Sequence, residues 1–311
     1  MNLHLSPAPH VHSNQSTRVL MRNVLVALIP CVVAGICLFG YSAALLMLAS
    51  VLTAVVAEYI WQRATGNKVR VGDLSAVVTG LILALNLPPQ APLWLAVVGS
   101  AFAIVIVKGL FGGLGDNFIN PAMAARALLL ASWPRYMTVW TAPTGLNSSV
   151  DAVSAATPLL TPGSYSLGQL FLGNIPGSVG EVCKLAILLG LAYLLFTHTI
   201  TWRIPAVMVA STFVFTWLFG RNPLTSVLSG GVLFAAVFMA TDYVTCPMTV
   251  PGQFVYAAGI GLVIALIRCF GGYPEGVTYA ILLMNIAAPL LDHVFKRRVY
   301  GYEKGAKVQN G

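Results

Sequence analysis

The sequence predicts an all-α polytopic membrane protein of about ten transmembrane helices, set as two inverted five-helix repeats with broken or half helices. Three observations predict it. First, 58% of the 311 residues are hydrophobic and only 8% are charged, with a mean hydropathy of +0.83. A soluble domain carries roughly 25% charged and about 45–50% apolar residues, so a soluble enzyme, a disordered chain and a disulfide scaffold are excluded. Second, ten apolar segments punctuate the chain. Third, an ordered set of features occurs once in each half.

The segments are 22–40, 42–62, 74–87, 92–111, 120–133, 179–200, 205–219, 225–241, 253–270 and 276–295. A spanning helix needs about 20 apolar residues. Segments 74–87, 120–133 and 205–219 are too short to span comfortably, which marks them as candidate broken helices lining an internal site. The organisation is a cytoplasmic tail (1–21), a first five-helix repeat (22–133), one long loop (134–178), a second five-helix repeat (179–295) and a C-terminal tail (296–311). The N-terminal tail is polar and shows no apolar stretch followed by a cleavage site. Its His4, His10 and His12 read as solvated.

Lysine and arginine orient the chain. With the N-terminus inside, the inner segments carry twelve: Arg18, Arg22, Arg63, Lys68, Arg70, Lys108, Arg203, Lys296, Arg297, Arg298, Lys304 and Lys307. The outer segments carry three: Arg135, Arg221 and Arg268. This positive-inside bias places both termini in the cytoplasm and the loop 134–178 outside. It also accounts for the net charge of +8 without nucleic acid. The five cysteines (Cys31, Cys37, Cys183, Cys246, Cys269) form no close pair of metal-binding spacing and read as small buried hydrophobes.

In the first half, Lys108 precedes Phe111-Gly112-Gly113 and then Asp116; in the second, Arg268 precedes Phe270-Gly271-Gly272 and then Glu275. Thr79-Gly80 parallels Ser229-Gly230 in the same way. Five spans per repeat is an odd number, so the repeats must be inverted.

Polar residues at or near membrane depth are functional candidates, because a charge there costs at least a few kcal/mol. They are Asn117, Asn120, Arg126, Asp242, Asn285 and Asp292. Asn117 and Asn120 stand near the start of a half-helix, where amides and the helix N-terminus suit an electron-rich ligand. Asn120 before Pro121 equally suits a helix cap. Arg126 reads either as a structural ion pair, for instance with Asp116 or Asp242, or as a ligand contact. Glu58 reads as snorkelling with Arg63 rather than joining an ion route, and Asp73 as the cap of the third helix.

The outer loop holds the sharpest local signal, Asp151-Ala152-Val153-Ser154-Ala155-Ala156-Thr157 before Pro158. Asp151 and Ser154 suit helix capping. A sterically open threonine among alanines also suits enzymatic modification of its hydroxyl.

This segment resembles the flavinylation motif D-(G/A)-x-(S/T)-(G/S/A)-A-T of the RnfD family, the D subunits of Rnf complexes and the related B subunits of sodium-pumping NADH:quinone reductases. Asp151, Ser154, Ala156 and Thr157 match it; Ala152 and Ala155 keep the small side chains. The resemblance covers nearly the whole chain. It includes Asn117 through Asn120-Pro121-Ala122 to Arg126, Phe238 to Asp242 with Met248-Thr249, and Tyr273-Pro274-Glu275-Gly276 with Asn285, Ala288-Pro289-Leu290 and Asp292-His293.

The resemblance implies a membrane component of an ion-translocating ferredoxin:NAD+ oxidoreductase, with no complete active site in this chain alone. It implies FMN esterified through its phosphate to Thr157 by a flavin transferase. It also implies a second, non-covalent riboflavin, here placed near Asn117, Asn120, Arg126 and Asp242. The implied partners are the A, B, C, E and G subunits of the Rnf complex. Electron relay coupled to Na+ or H+ transport is the expected role. A small-solute channel of urea-transporter type, built on the same inverted repeat, is the alternative; the motif ending at Thr157 has no purpose there.

Overall fold

The computed structural model describes residues 16–143, 157–159, 165–272 and 275–296. Among these, all regular structure is helical. Asp151, Ser154 and Ala156 lie outside the described residues, as do the three N-terminal histidines.

The chain opens with two long helices, α1 (Thr17–Phe39) and α2 (Tyr41–Ala64). Ser16 caps α1 by accepting the Val19 N–H at 3.3 Å. The turn between them is a single residue, Gly40 at φ +73°. Helix α3 (Ser75–Leu85) follows; its N-cap is Leu74 rather than the expected Asp73, which sits one residue earlier and accepts the Ser75 N–H at 2.8 Å through Oδ1. Helix α4 (Leu93–Phe102) runs on into a π-helical stretch, Ala103–Gly109. Helix α5 (Pro121–Ser132) begins at Asn120, whose side chain accepts the Ala122 and Met123 N–H groups, so the capping role holds. Two short helices, α6 (Pro134–Met137) and α7 (Leu167–Leu172), lie within the loop 134–178.

The second half carries α8 (Lys184–Phe196), α9 (Arg203–Leu218), α10 (Pro223–Leu228), α11 (Val232–Phe238), α12 (Val250–Phe270) and α13 (Val277–Val294). Every predicted apolar segment therefore holds a helix. The break falls elsewhere than expected: segment 205–219 is one continuous helix, whereas 225–241 is split at Ser229–Gly231. Gly230 takes φ +65°, which glycine adopts without strain.

Four helices, α1, α2, α12 and α13, are long and apolar enough to cross a membrane. Their outer faces are paved with exposed Ile29, Val33, Leu52, Val56, Leu283 and Ile286. Water would penalise such a surface, and lipid covers it without cost. Packing between apolar helices in lipid must come from close contact rather than from the hydrophobic effect. Helix α2 lies on α3 and α4, α9 on α12, and α1 on α8. Gly80 makes the first of these possible: a Cβ there would sit 3.0 Å from Ala54 Cβ, the Ser50 carbonyl oxygen and Val51 Cα. At the same place Ser50 Oγ donates to Gly80 O at 2.6 Å and pairs with Ser100 Oγ at 2.8 Å.

Gly80→Val should force α2 and α3 apart at a cost of about 1–3 kcal/mol, the range for overpacking. Thermal unfolding in detergent, followed by tryptophan fluorescence, should show a clearly lowered midpoint; an unchanged midpoint would contradict the close approach.

Candidate functional site

The polar residues that the sequence marks as candidates divide between two places. Asn117, Asn120 and Asp242 line one cleft; Arg126 belongs to a separate ionic core.

The cleft is narrow, about 90 Å³, and lies where the N-terminus of α5 meets the C-terminal end of α11. Its walls are mostly aliphatic, including Val78, Ile82, Val237 and Phe238. Asn117 Nδ2 donates to Ile119 O at 3.1 Å, which folds the loop leading into α5. Asn120 sits under the Met239 carbonyl, with its Nδ2 3.4 Å away. Beneath it, fully buried Asn285 on α13 is hydrogen-bonded to Tyr256 Oη on α12 at 2.6 Å. Asp242 accepts from Val244 N–H and Thr245 Oγ1. Burial raises the Asp242 carboxyl above the ordinary range, and these two bonds partly offset the rise. Burial likewise pushes the nearby Cys246 thiol up to about 12, so neutral pH leaves it protonated. Among the described residues no three His, Cys, Asp or Glu side chains cluster as metal ligands.

Arg126 is 3% exposed and pairs with neither Asp116 nor Asp242. Asp116 is exposed on the loop that precedes α5. Instead, Arg126 Nη1 donates to Asn86 Oδ1 at 3.0 Å and to Glu181 Oε1 at 3.1 Å, and Nη2 donates to Glu275 Oε2. Glu181 precedes α8 and Glu275 precedes α13, so one guanidinium ties α3 and α5 of the first half to two loops of the second.

Two further cations surround the split between α10 and α11. Arg268 donates through Nη1 to Ser226 O, through Nη2 to Ser229 O at 3.3 Å, and through Nε to Glu275 O at 3.1 Å. Lys184 donates to Glu181 O and, at 3.3 Å, to Gly230 O. A helix end leaves carbonyls without partners, and at membrane depth no water replaces them. The two cations fill that role. Sequence reasoning misses Lys184, Glu181, Arg268 and Asn86 as parts of one site. The signals that could find them are a carboxylate three residues before a lysine at the head of an apolar run and an arginine inside another.

Thr157 is 7% exposed, against the expectation of an open hydroxyl. Leu159, two residues on, packs at the split: a Cβ on Gly230 would lie 3.0 Å from Arg268 Nη2, 3.1 Å from Leu159 Cδ1 and 3.5 Å from Glu275 Oε1. The Thr157 segment is thus docked over the ionic core, not the cleft.

Glu58 also differs from expectation. It does not snorkel towards Arg63, whose guanidinium lies 5.7 Å from the Tyr59 ring. Glu58 is 4% exposed and paired with Lys108 at 2.5 Å. Lys108 and Arg268, counted from the sequence among the inner and outer charges, are both buried side chains of the bundle.

Arg126→Met should strand the buried Glu181 carboxylate and the half-buried Glu275 carboxylate and destabilise the fold by about 3–5 kcal/mol. Adding Glu181→Gln and Glu275→Gln to that variant should recover much of the loss. Detergent unfolding of both variants checks this, and equal stability of Arg126→Met and the unaltered protein would refute the ionic core.

The chain is similar to known proteins along nearly its whole length. It is 46% identical over 312 residues, 98% of its length and 97% of the relative's, to the D subunit of the Na+-translocating ferredoxin:NAD+ oxidoreductase complex of Acetobacterium woodii. It is 41% identical, over 93% of each chain, to the D subunit of the proton-translocating ferredoxin:NAD+ oxidoreductase complex of Clostridium ljungdahlii. To the D subunit of the ion-translocating oxidoreductase complex of Halorhodospira halophila it is 40% identical over 96% of its length and 95% of the relative's. The model of the NQR2, RnfD, RnfE family matches residues 4–301, and the chain belongs to that family.

Proposed function

We infer that this chain is the D-type membrane component of an ion-translocating ferredoxin:NAD+ oxidoreductase complex. It would relay electrons between a flavin in the Asn117–Asn120–Asp242 cleft and an FMN esterified to Thr157. The observation that carries the reading is the flavinylation-type motif ending at Thr157, in a chain matched end to end by proteins of that name. No observation favours the channel alternative. The relatives at comparable identity are named for different ions, Na+ and protons, so overall similarity leaves the ion open.

Two features support the inverted five-plus-five arrangement with both termini cytoplasmic. The packing partners recur: α2 lies on α4 as α9 lies on α12, and α4 meets α5 as α12 meets α13. The segments expected inside converge, since Thr17, Lys68, Arg70 and Asp116 line one cavity. The expected outer ends of spanning segments also meet, since Gly180 N–H donates to Leu85 O at 2.7 Å and Leu159, of the loop expected outside, packs at Gly230. On that topology the cleft opens near the cytoplasmic face and Thr157 lies at the opposite one.

The residues suit the two groups chemically. Amide donors and acceptors at one end of an aliphatic slot match the polar edge of a flavin ring, while the ring's thickness requires the slot to widen beyond its 90 Å³. Thr157 offers the hydroxyl for a phosphoester, and its burial requires that attachment precede or accompany docking of the segment. A bound flavin supplies one- and two-electron chemistry; the protein supplies position and electrostatics. The A, B, C, E and G subunits of the Rnf complex and a flavin transferase are the partners this reading needs.

Intact-mass measurement of the chain co-expressed with a flavin transferase tests the outer site. The mass should rise by one FMN less water, and Thr157→Ala should abolish both that rise and in-gel flavin fluorescence. An unmodified protein, where a known acceptor is modified, would reject the assignment. For the cleft, Asn117→Leu should remove acid-extractable flavin from the purified complex while leaving the Thr157-linked flavin in place.

A further inference from the structure

The ionic core does not balance. Among the described residues it holds three cations, Arg126, Lys184 and Arg268, and two carboxylates, Glu181 and Glu275. Both carboxylates pair with Arg126, and among the described residues no other cation lies within ion-pair distance of them. Lys184 and Arg268 are 1% and 4% exposed, and their hydrogen bonds go to backbone carbonyls, those of Glu181, Ser226, Ser229, Gly230 and Glu275. Helix dipoles do not make up the difference, because the C-terminus of α10 and the N-terminus of α11 meet at this split with opposite signs. One positive charge is therefore left over at membrane depth, where an unbalanced charge is strongly unfavourable. The segment that carries Thr157 seats at the same split. The space over Gly230 is closed by Arg268 Nη2, Leu159 Cδ1 and Glu275 Oε1, at 3.0, 3.1 and 3.5 Å from where a Cβ would stand. The space over Gly231 is closed by Glu181 Oε1 at 2.5 Å. Two residues of chain reach at most about 7 Å, so Leu159 holds Thr157 close to this ground, and Thr157 is itself buried.

We propose that the split between α10 and α11 is an anion seat, and that its occupant is the phosphodiester that esterification would place on Thr157. The proposal rests on the reading of Thr157 as an ester site and makes no use of the flavin ring. A threonine is neutral, whereas a phosphodiester carries one negative charge at neutral pH. That is the charge the core lacks. Arg268 is the residue the geometry singles out, since its Nη2 and the Leu159 anchor border the same glycine. Before modification a neutral segment lies against a net positive core; after it the charges match. Attachment then tightens the docked segment, and Arg268 and Lys184 act as positioning residues for the modified threonine. An anion at position 157 that meets these cations only in the folded chain must also stabilise the fold. Capping of the carbonyls alone makes no such demand, because neutral donors would complete it and the charge at position 157 would not matter.

The test needs no flavin and uses the full chain purified from cells without a flavin transferase. Thr157→Glu and Thr157→Gln match in size and differ by one charge. Thr157→Glu should unfold in detergent at a midpoint about 2 °C or more above that of Thr157→Gln. The gap should close when Lys184→Gln or Arg268→Gln is added, since each amide keeps a donor for the carbonyls and removes the charge. It should persist with Arg268→Lys, which keeps the charge. With a transferase present, the modified chain should unfold above the unmodified one, and Arg268→Gln should lessen that rise. Equal midpoints for the two Thr157 variants, a lower midpoint for Thr157→Glu, or a gap undiminished by both neutral substitutions would each overturn the seat. Should neither neutral variant fold, the comparison of Thr157→Glu with Thr157→Gln decides alone. Failure of the ester reading looks different. A chain that gains no mass from the transferase would reject the ester and with it the phosphodiester as occupant, whatever the gap. Equal midpoints in a chain that does gain the mass of FMN less water would reject the seat alone.

Discussion

The bundle depends on how the split between α10 and α11 is satisfied. Ending one helix at Leu228 and starting another at Val232 exposes carbonyls at a depth where water is scarce. Arg268 and Lys184 supply N–H donors to Ser226, Ser229 and Gly230, and neither side chain reaches solvent to any useful degree. Their charges then need counter-charges, which Glu181 and Glu275 provide. Those carboxylates need a further partner, which Arg126 provides. A backbone requirement at one turn therefore dictates a five-residue ionic core and, through it, the mutual position of the two halves.

The second ionic system, Glu58–Lys108–Ser75–Asp73, is built from the first half alone. It stands at the other end of the bundle, beside the amide-lined cleft. The contrast in chemistry follows from the side chains. Arginines dominate the core that must hold backbone and carboxylates in fixed geometry, because a planar fork bonds several acceptors at once. A lysine stands where the charge faces two cavities. Relatives of this family named for Na+ and for protons share the overall chain, so the choice of ion must rest on local differences around such polar groups rather than on the fold.

Much of the fold is legible in the sequence because lipid imposes a simple rule: apolar runs become helices. All ten predicted segments carry one, and the cap at Asn120 stands where its residue type indicates. The elements that depart from expectation do so for tertiary reasons. Segment 205–219 is short yet unbroken, and 225–241 is longer yet split, because the split follows from Gly230 and its cation partners rather than from length. Arg126 and Asp116 are near in sequence, but the loop carrying Asp116 turns to the surface and leaves the guanidinium to Glu181 and Glu275.

By itself, then, the sequence determined helical class, segment order, charge asymmetry and the identity of the polar residues, since each depends on composition and on spacing within one segment. The partition of those residues was decided only by the tertiary structure. Arg126 and Glu275 are 149 positions apart, Lys108 and Glu58 are 50 apart, and no local pattern pairs them. In a low-dielectric interior a charge takes whichever partner the packing brings within hydrogen-bond reach. Helix packing therefore sent Asn117, Asn120 and Asp242 to one cleft, and brought Glu275, the partner of Arg126, and Leu159, two residues from Thr157, to the same glycine.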